Sequence, residues 1–252
     1  MNRRNYGKRH VVSCYAHSLL QKPETLILEK YQEYILGKCV LDLGCGAGRT
    51  APHLYNLSKN YTGIDYSFEM IEVCRERFKE LCFVHGDVRN LNMIEDGSSD
   101  FVLFAYNGLD SVSHEGRLIG LREIYRVLRK NGLFVFSSHN RNHRDAISRP
   151  SITFTLHIYP MINNIIQFAL STYNHTRNKK KEQCNEEYSI LNDRAHNYSM
   201  LTYYIDRKNQ ISQLAKIGFD VIEMFDTSAN VLEHDSDDGD SAWIYYVARK
   251  RG

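Results

Sequence analysis

Short apolar runs alternate with one-sided amphipathic stretches along most of this chain. From Pro23 to Leu36, the positions Leu26, Ile27, Lys30, Tyr31, Tyr34 and Ile35 follow a helical rather than a strand period. Lys38 to Leu43 is a short buried-strand signal, broken by Gly44, Gly46 and Gly48, and Arg49 to Leu57 reads as the next helix. The alternation continues with a strand over Tyr61 to Ile64, a helix over Phe68 to Leu81 and a strand over Cys82 to His85. Phe101 to Tyr106 is a continuous apolar run suited to a strand covered on both faces. Leu118, Leu121, Tyr125 and Leu128 recur at helical spacing, Asn131-Gly132 is a stop signal, and Leu133 to Ser137 is the following strand.

Such βα units, joined by short turns, predict a mainly parallel sheet with helices on both faces. The pattern lapses between about Arg144 and Ser199, where aromatic and polar residues surround Pro150, Pro160 and the basic run Arg177 to Lys181. It resumes with a helix over Ile211 to Ile217, a terminating Gly218, and strands over Phe219 to Phe225 and Ala242 to Ala248. The acidic turn Glu233 to Asp240 between those two strands suits an antiparallel hairpin at a sheet edge. The chain therefore divides into a helical cap (1–37), a core (38–143), an insertion (144–200) and the rest of the core sheet (201–252).

Composition narrows the picture without redirecting it. With 252 residues, 42% hydrophobic and 25% charged, the chain has the make-up of an ordinary globular protein. A net charge of +2 is too small to imply an electrostatic search for nucleic acid or anionic membrane. The six cysteines contain no CxxC pair, which removes the usual zinc and redox motifs and favours reduced thiols in a cytoplasm. No apolar run approaches the ~20 residues of a membrane span, and the basic N-terminus is not followed by a signal-peptide core.

The candidate chemistry begins at Val40-Leu41-Asp42-Leu43-Gly44-Cys45-Gly46-Ala47-Gly48, a strand feeding a glycine-rich turn and then a helix. Glycines permit a tight turn and close backbone approach to a ligand, and the first helical amides are unpaired donors. Asp65 closes the second strand, where a carboxylate can accept both hydroxyls of a ribose. Gly86-Asp87-Val88 follows the third strand. Taken singly, each also reads as a structural turn.

Together and in this order, the three signals resemble the class I S-adenosylmethionine-dependent methyltransferases. The similarity runs well from Val40 to Asn140 and more loosely from Tyr203 to Lys250. It departs from the family at Lys130-Asn131-Gly132, where many relatives carry Pro-Gly-Gly. The resemblance implies a Rossmann-like, mainly parallel seven-stranded α/β sheet with an antiparallel edge hairpin and an inserted lid after the fifth strand. It also implies S-adenosylmethionine as cofactor. Gly44, Cys45 and Gly46 would lie against its methionine part, Asp65 at the ribose, and Asp87, Val88 and the apolar Met70 at the adenine, with Tyr66 as a further cofactor-binding candidate. The N-terminal Tyr6 and Tyr15 resemble tyrosines that close over the cofactor in small-molecule members, and Tyr106 is another cofactor-binding candidate. Asp42 has two readings, a partner for the cofactor ammonium or a pin for the loop. The rival dinucleotide fingerprint, G-x-G-x-x-G, would need glycine where the chain has Arg49.

The family places acceptor chemistry at the ends of the fourth and fifth strands. His139 is the candidate general base, since its ordinary pKa of about 6.5 suits proton acceptance near neutral pH, and Asp110 is the alternative. Tyr15, Asn107, Asn140, Tyr203 and Tyr204 are the candidate acceptor-binding residues, with the insertion covering them. The strand ends hold one carboxylate, so no metal is expected. The expected activity is methyl transfer to a small-molecule acceptor, a hydroxyl of a sugar or natural product. The alternatives are an RNA or protein methyltransferase and a cofactor-binding protein without catalysis. Nucleic acid and membrane are not expected partners.

Overall fold

The computed structural model describes residues 19–233 and 236–252. Its elements in chain order are α1 (Lys22–Lys30), β1 (Val40–Leu43), α2 (Ala51–Leu57), β2 (Tyr61–Asp65), α3 (Phe68–Arg77), β3 (Cys82–His85) and β4 (Ser99–Phe104). They continue with α4 (His114–Val127), β5 (Leu128–Asn140), α5 (Ile158–Lys179), β6 (Gln183–Cys184), β7 (Ser189–Leu191), β8 (Thr202–Ile205), α6 (Arg207–Ile217), β9 (Phe219–Phe225) and β10 (Trp243–Lys250). Ser67, Ser113 and Asp206 start α3, α4 and α6 by accepting from the backbone amides of Met70, Gly116 and Asn209. Gly218, at φ +118°, ends α6 in the left-handed region.

The core sheet runs β3-β2-β1-β4-β5-β10-β9, with only β10 antiparallel to its neighbours. Alternate side chains face opposite layers. Leu41, Leu43, Val102, Phe104, Phe134 and Phe136 pack towards one, and Val40, Phe101, Leu103, Leu133 and Val135 towards the other. Strand order reverses between β1 and β4, because the chain leaves outward to β3 and returns on the other side of β1. A crevice opens at the carboxyl ends of the strands at such a reversal, and there an α/β sheet takes its ligand.

The seven expected core strands are present, with the antiparallel β9–β10 edge hairpin. Three more strands extend the sheet. The insertion contains a 22-residue helix, α5, and the antiparallel strands β6 and β7, which pair on through β8 to residues 139 and 140 of β5. The sequence pattern showed no element there, since Pro150 and Pro160 read as breaks. Pro160 in fact sits in the first turn of α5, where the missing amide proton has no partner to lose.

Several boundaries also move. The first helix stops at Lys30 instead of reaching Leu36, because Tyr31 leaves helical geometry. β4 ends at Phe104 and not at Tyr106, because Tyr106 and Asn107 both have positive φ. β5 extends to Asn140, held by β10 on one edge and β8 on the other.

Candidate functional site

Four strand ends and the start of α4 enclose a cavity of about 390 Å³ at the sheet reversal. That volume lies within the usual range of small-molecule sites, roughly 300–1,000 Å³. Its wall begins with the turn after β1. Gly44 has φ +60°, and a Cβ there would sit 2.4 Å from the Phe104 ring, so only glycine fits. A Cβ on Gly46, φ +56°, would meet nothing within 4 Å, which leaves its backbone open to an approaching ligand.

Asp65 joins that turn to the end of β2. One carboxylate oxygen accepts from the Gly46 amide at 2.9 Å and the other from the Ser67 amide at 2.8 Å. Each oxygen keeps a second lone pair, so the carboxylate is positioned by backbone and still able to accept. Burial raises its pKa, while the two amides work in the opposite direction. Asp42 is the second carboxylate of the wall. Its Oδ2 accepts from Thr50 Oγ1 at 2.6 Å and from the Tyr61 hydroxyl at 2.9 Å, and burial pushes its pKa up to about 6. Pinning the loop is thus a role its geometry already performs. Asp87 is the third, paired with its near neighbour Arg89 at the rim.

Cys45, Tyr66, Met70, Val88 and Tyr106 also line the cavity. Cys45 is held as a neutral thiol, its pKa raised by a hydrogen bond with Cys74 and by burial. Tyr106 and Asn107 are consecutive non-glycine residues in the left-handed region, a conformation costing of order 1–3 kcal/mol each. The Asn107 amide donates to Ser137 Oγ at 2.8 Å, which helps to hold that turn. Tyr6 and Tyr15 lie outside the described residues.

The ends of β4 and β5 form a different arrangement. Asp110, buried between them, accepts from Arg117 Nη1, Ser138 Oγ, the His139 amide and His139 Nδ1. Four donors fill the four lone-pair sites of a carboxylate. With Nδ1–H committed to Asp110, His139 Nε2 is the accepting nitrogen, and Asn107 Nδ2 stands 3.3 Å from it. The Asn107 Oδ1 is buried with no hydrogen-bond partner. Arg117 itself is fully buried and donates further to Gln213, Gln210 and Ser138.

Asn140, Tyr203 and Tyr204, singled out for the acceptor, do not line the cavity, and neither does Asn107. The Asn140 amide donates to the carbonyls of Asp238 and Ser241 and ties β5 to the acidic turn. The Tyr203 hydroxyl is bound to His114 and Gln213, and its pKa is pushed up to about 12 by burial. Tyr204 donates to Asp193. Asn140, Tyr203 and Tyr204 belong to the packing behind His139, because the insertion adds its strands to the sheet there. His139 packs against the Tyr204 ring and reaches Asn107, and neither His139 nor Asn107 is among the residues that line the cavity.

The sequence pattern missed Arg49 and the loop Ser111–Val112–Ser113, which complete the cavity wall. Arg49 forms a two-pronged ion pair with Glu24 of α1 and stacks over Tyr106. The available signal was Glu24, in the first turn of α1 beside Pro23 and ahead of the apolar run Leu26–Leu28. A second hollow of about 370 Å³ shares Ser113 with the first and is lined by His114, Glu115, Arg177, Lys181 and Gln183, among others.

Comparison with known proteins agrees with this geometry. Residues 40–132 match the family model of the methyltransferase domain. The chain is 38% identical over 109 residues to a demethylmenaquinone methyltransferase of Staphylococcus haemolyticus, a match covering 40% of this chain and 43% of that protein. It is 27% identical over 172 residues to a ubiquinone/menaquinone biosynthesis C-methyltransferase of Campylobacter jejuni, covering 65% and 72%. The chain thus spans less than half the length of the first of these relatives. The fold is similar to a crystal structure of a S-adenosylmethionine-dependent methyltransferase from Clostridium acetobutylicum, with TM-score 0.63, 14% identity and 92% of each chain covered. In the order of its turns, its sheet topology and the matched segment 40–132, the chain is similar to the class I, Rossmann-like S-adenosylmethionine-dependent methyltransferases.

Proposed function

We propose that this protein transfers the methyl group of S-adenosylmethionine to a small-molecule acceptor. The observation that carries the reading is the cavity at the sheet reversal, where the buried Asp65 carboxylate is aimed by two backbone amides and keeps accepting capacity for ribose hydroxyls. Asp87 and Val88 would meet the adenine, Met70 would pack on it, and Gly44 to Gly46 would lie along the methionine part. Asp42, already bound to Thr50 and Tyr61, would present negative potential to the ammonium. The bound cofactor supplies an activated methyl group, so the protein's task is to align an acceptor and exclude water.

The acceptor would enter beside Ser113, through the second hollow, under the insertion. For a hydroxyl acceptor, His139 is the base. Asp110 holds its Nδ1–H and so directs the basic lone pair of Nε2 towards Asn107, whose amide would yield to the acceptor. Asp110 is then a positioning residue, because its lone pairs are already taken. The same saturation argues against its service as a metal ligand. A second reading is methylation of a ring carbon, favoured by the similarity to two proteins named for quinone methylation.

The test is transfer from methyl-labelled cofactor in a cell extract. Label should accumulate in the small-molecule fraction. Label confined to precipitable RNA or protein would overturn the proposal. Removing residues 144–200 should abolish turnover and leave cofactor binding in place, and undiminished turnover would remove the insertion from the acceptor site.

A further inference from the structure

Helix α5 is built inside out. Its polar side chains face the protein: Asn164 donates to the Thr153 carbonyl, Asn174 to that of Asn197 and Asn178 to that of Tyr198. Gln167 accepts from Asn197, and His175 meets Asn192. Ser171 and Asn178 are its buried residues. The opposite face carries Ile158, Tyr159, Ile162, Ile166, Leu170 and Tyr173, all exposed, Tyr159 by 87% and Ile158 by 74%. These recur every three to four residues and form one continuous stripe. Phe154 and Leu156, just ahead of the helix, are exposed as well. A water-facing helix has the reverse arrangement, and an apolar surface of this extent marks an interaction site.

The charges around the stripe indicate what covers it. From Ala146 to Lys181 there is no aspartate or glutamate, whereas Arg149, Arg177, Lys179, Lys180 and Lys181 are all basic. Lys179 is paired with Glu182, and Arg177 sits over the Tyr173 ring at the end of the stripe. A second copy of this surface would bring a further five basic groups and no carboxylate from the same segment. An apolar stripe flanked by such an excess of lysine and arginine is the pattern of a helix lying in the headgroup layer of an anionic bilayer. No helix among the described residues is long and apolar enough to cross a membrane.

We propose that α5 and its approach from Phe154 dock the protein on an anionic lipid surface, apolar face inward and Arg177–Lys181 at the headgroups. The sequence pattern gave no membrane partner, because the two faces of α5 are told apart only by what each touches.

Co-sedimentation of the full chain with vesicles tests this. Binding should be strong to phosphatidylcholine containing phosphatidylserine, weak to phosphatidylcholine alone, and reduced by salt. Ile162→Asn with Ile166→Asn should abolish it. Lys179→Gln with Lys180→Gln should weaken it about tenfold or more on the anionic vesicles only. Unchanged binding of S-adenosylhomocysteine by each variant shows that the fold survives, and it separates this result from the question of activity. Three results would overturn the proposal: no sedimentation of the intact protein, equal binding to neutral vesicles, or a stable dimer in ultracentrifugation that the isoleucine variants disperse.

Discussion

The ends of β1 to β3 and the ends of β4 and β5 both carry buried carboxylates, and the two groups are prepared for different work. Asp65 is aimed by two amides and retains accepting capacity towards an open cavity. Asp110, a short distance along the same sheet edge, has every lone pair taken by Arg117, Ser138 and His139. One is arranged to meet a ligand and the other to orient a neighbour. A buried carboxylate is therefore informative only once its donors are counted.

The sharpest way to break this contrast is to remove the cation from the saturated end. Arg117→Met leaves the Asp110 carboxylate buried without its arginine cation, held only by Ser138 and His139, and should cost about 3–5 kcal/mol in denaturant unfolding. Adding Asp110→Asn should recover much of that loss. A single variant as stable as the parent would show that the network does not hold β4 to β5.

His139→Ala probes the orienting role. Turnover should fall ~10²–10⁴-fold with affinity for S-adenosylhomocysteine nearly unchanged. Full activity in this variant would leave alignment as the whole of the catalysis, as a ring-carbon or amine acceptor would allow.

The open end is tested by pH. The Asp42 carboxyl has its pKa raised from 3.8 to about 6 by burial, so between those values the folded protein binds more protons than the unfolded chain. This group accordingly favours the fold at low pH, and stability is lost as pH rises through about 6. The loss is of order 2–3 kcal/mol at about 1.4 kcal/mol per pKa unit. Asp42→Asn should flatten that part of the stability profile, and an unaltered slope would assign it to other groups.

These regions also differ in how far the sequence disclosed them. Gly44, Gly46, Asp65 and Asp87 stand in turns set by local chemistry: a positive φ, a strand end, a helix start. Such features are written in adjacent residues. Asn140, Tyr203 and Tyr204 were plausible acceptor residues by position along the chain, yet their polar atoms are committed to Asp238, His114 and Asp193, partners far away in sequence for two of the three. Of the strained pair Tyr106–Asn107, Asn107 is marked by the turn dipeptide Asn107-Gly108, whereas Tyr106 carries no such signal. Helix α5 was hidden by Pro160 and by a polar face that points inward, which disguises the usual reading of amphipathic pattern.

The most direct measurement is calorimetric titration of the protein with S-adenosylhomocysteine and, separately, with NAD. S-adenosylhomocysteine should bind and NAD should not, and Asp65→Ala should weaken the adenosyl ligand by about 1.5–3 kcal/mol, the usual loss for a hydrogen bond to a charged group. Binding of NAD in place of S-adenosylhomocysteine, or an Asp65→Ala variant with undiminished affinity, would contradict the assignment of this cavity.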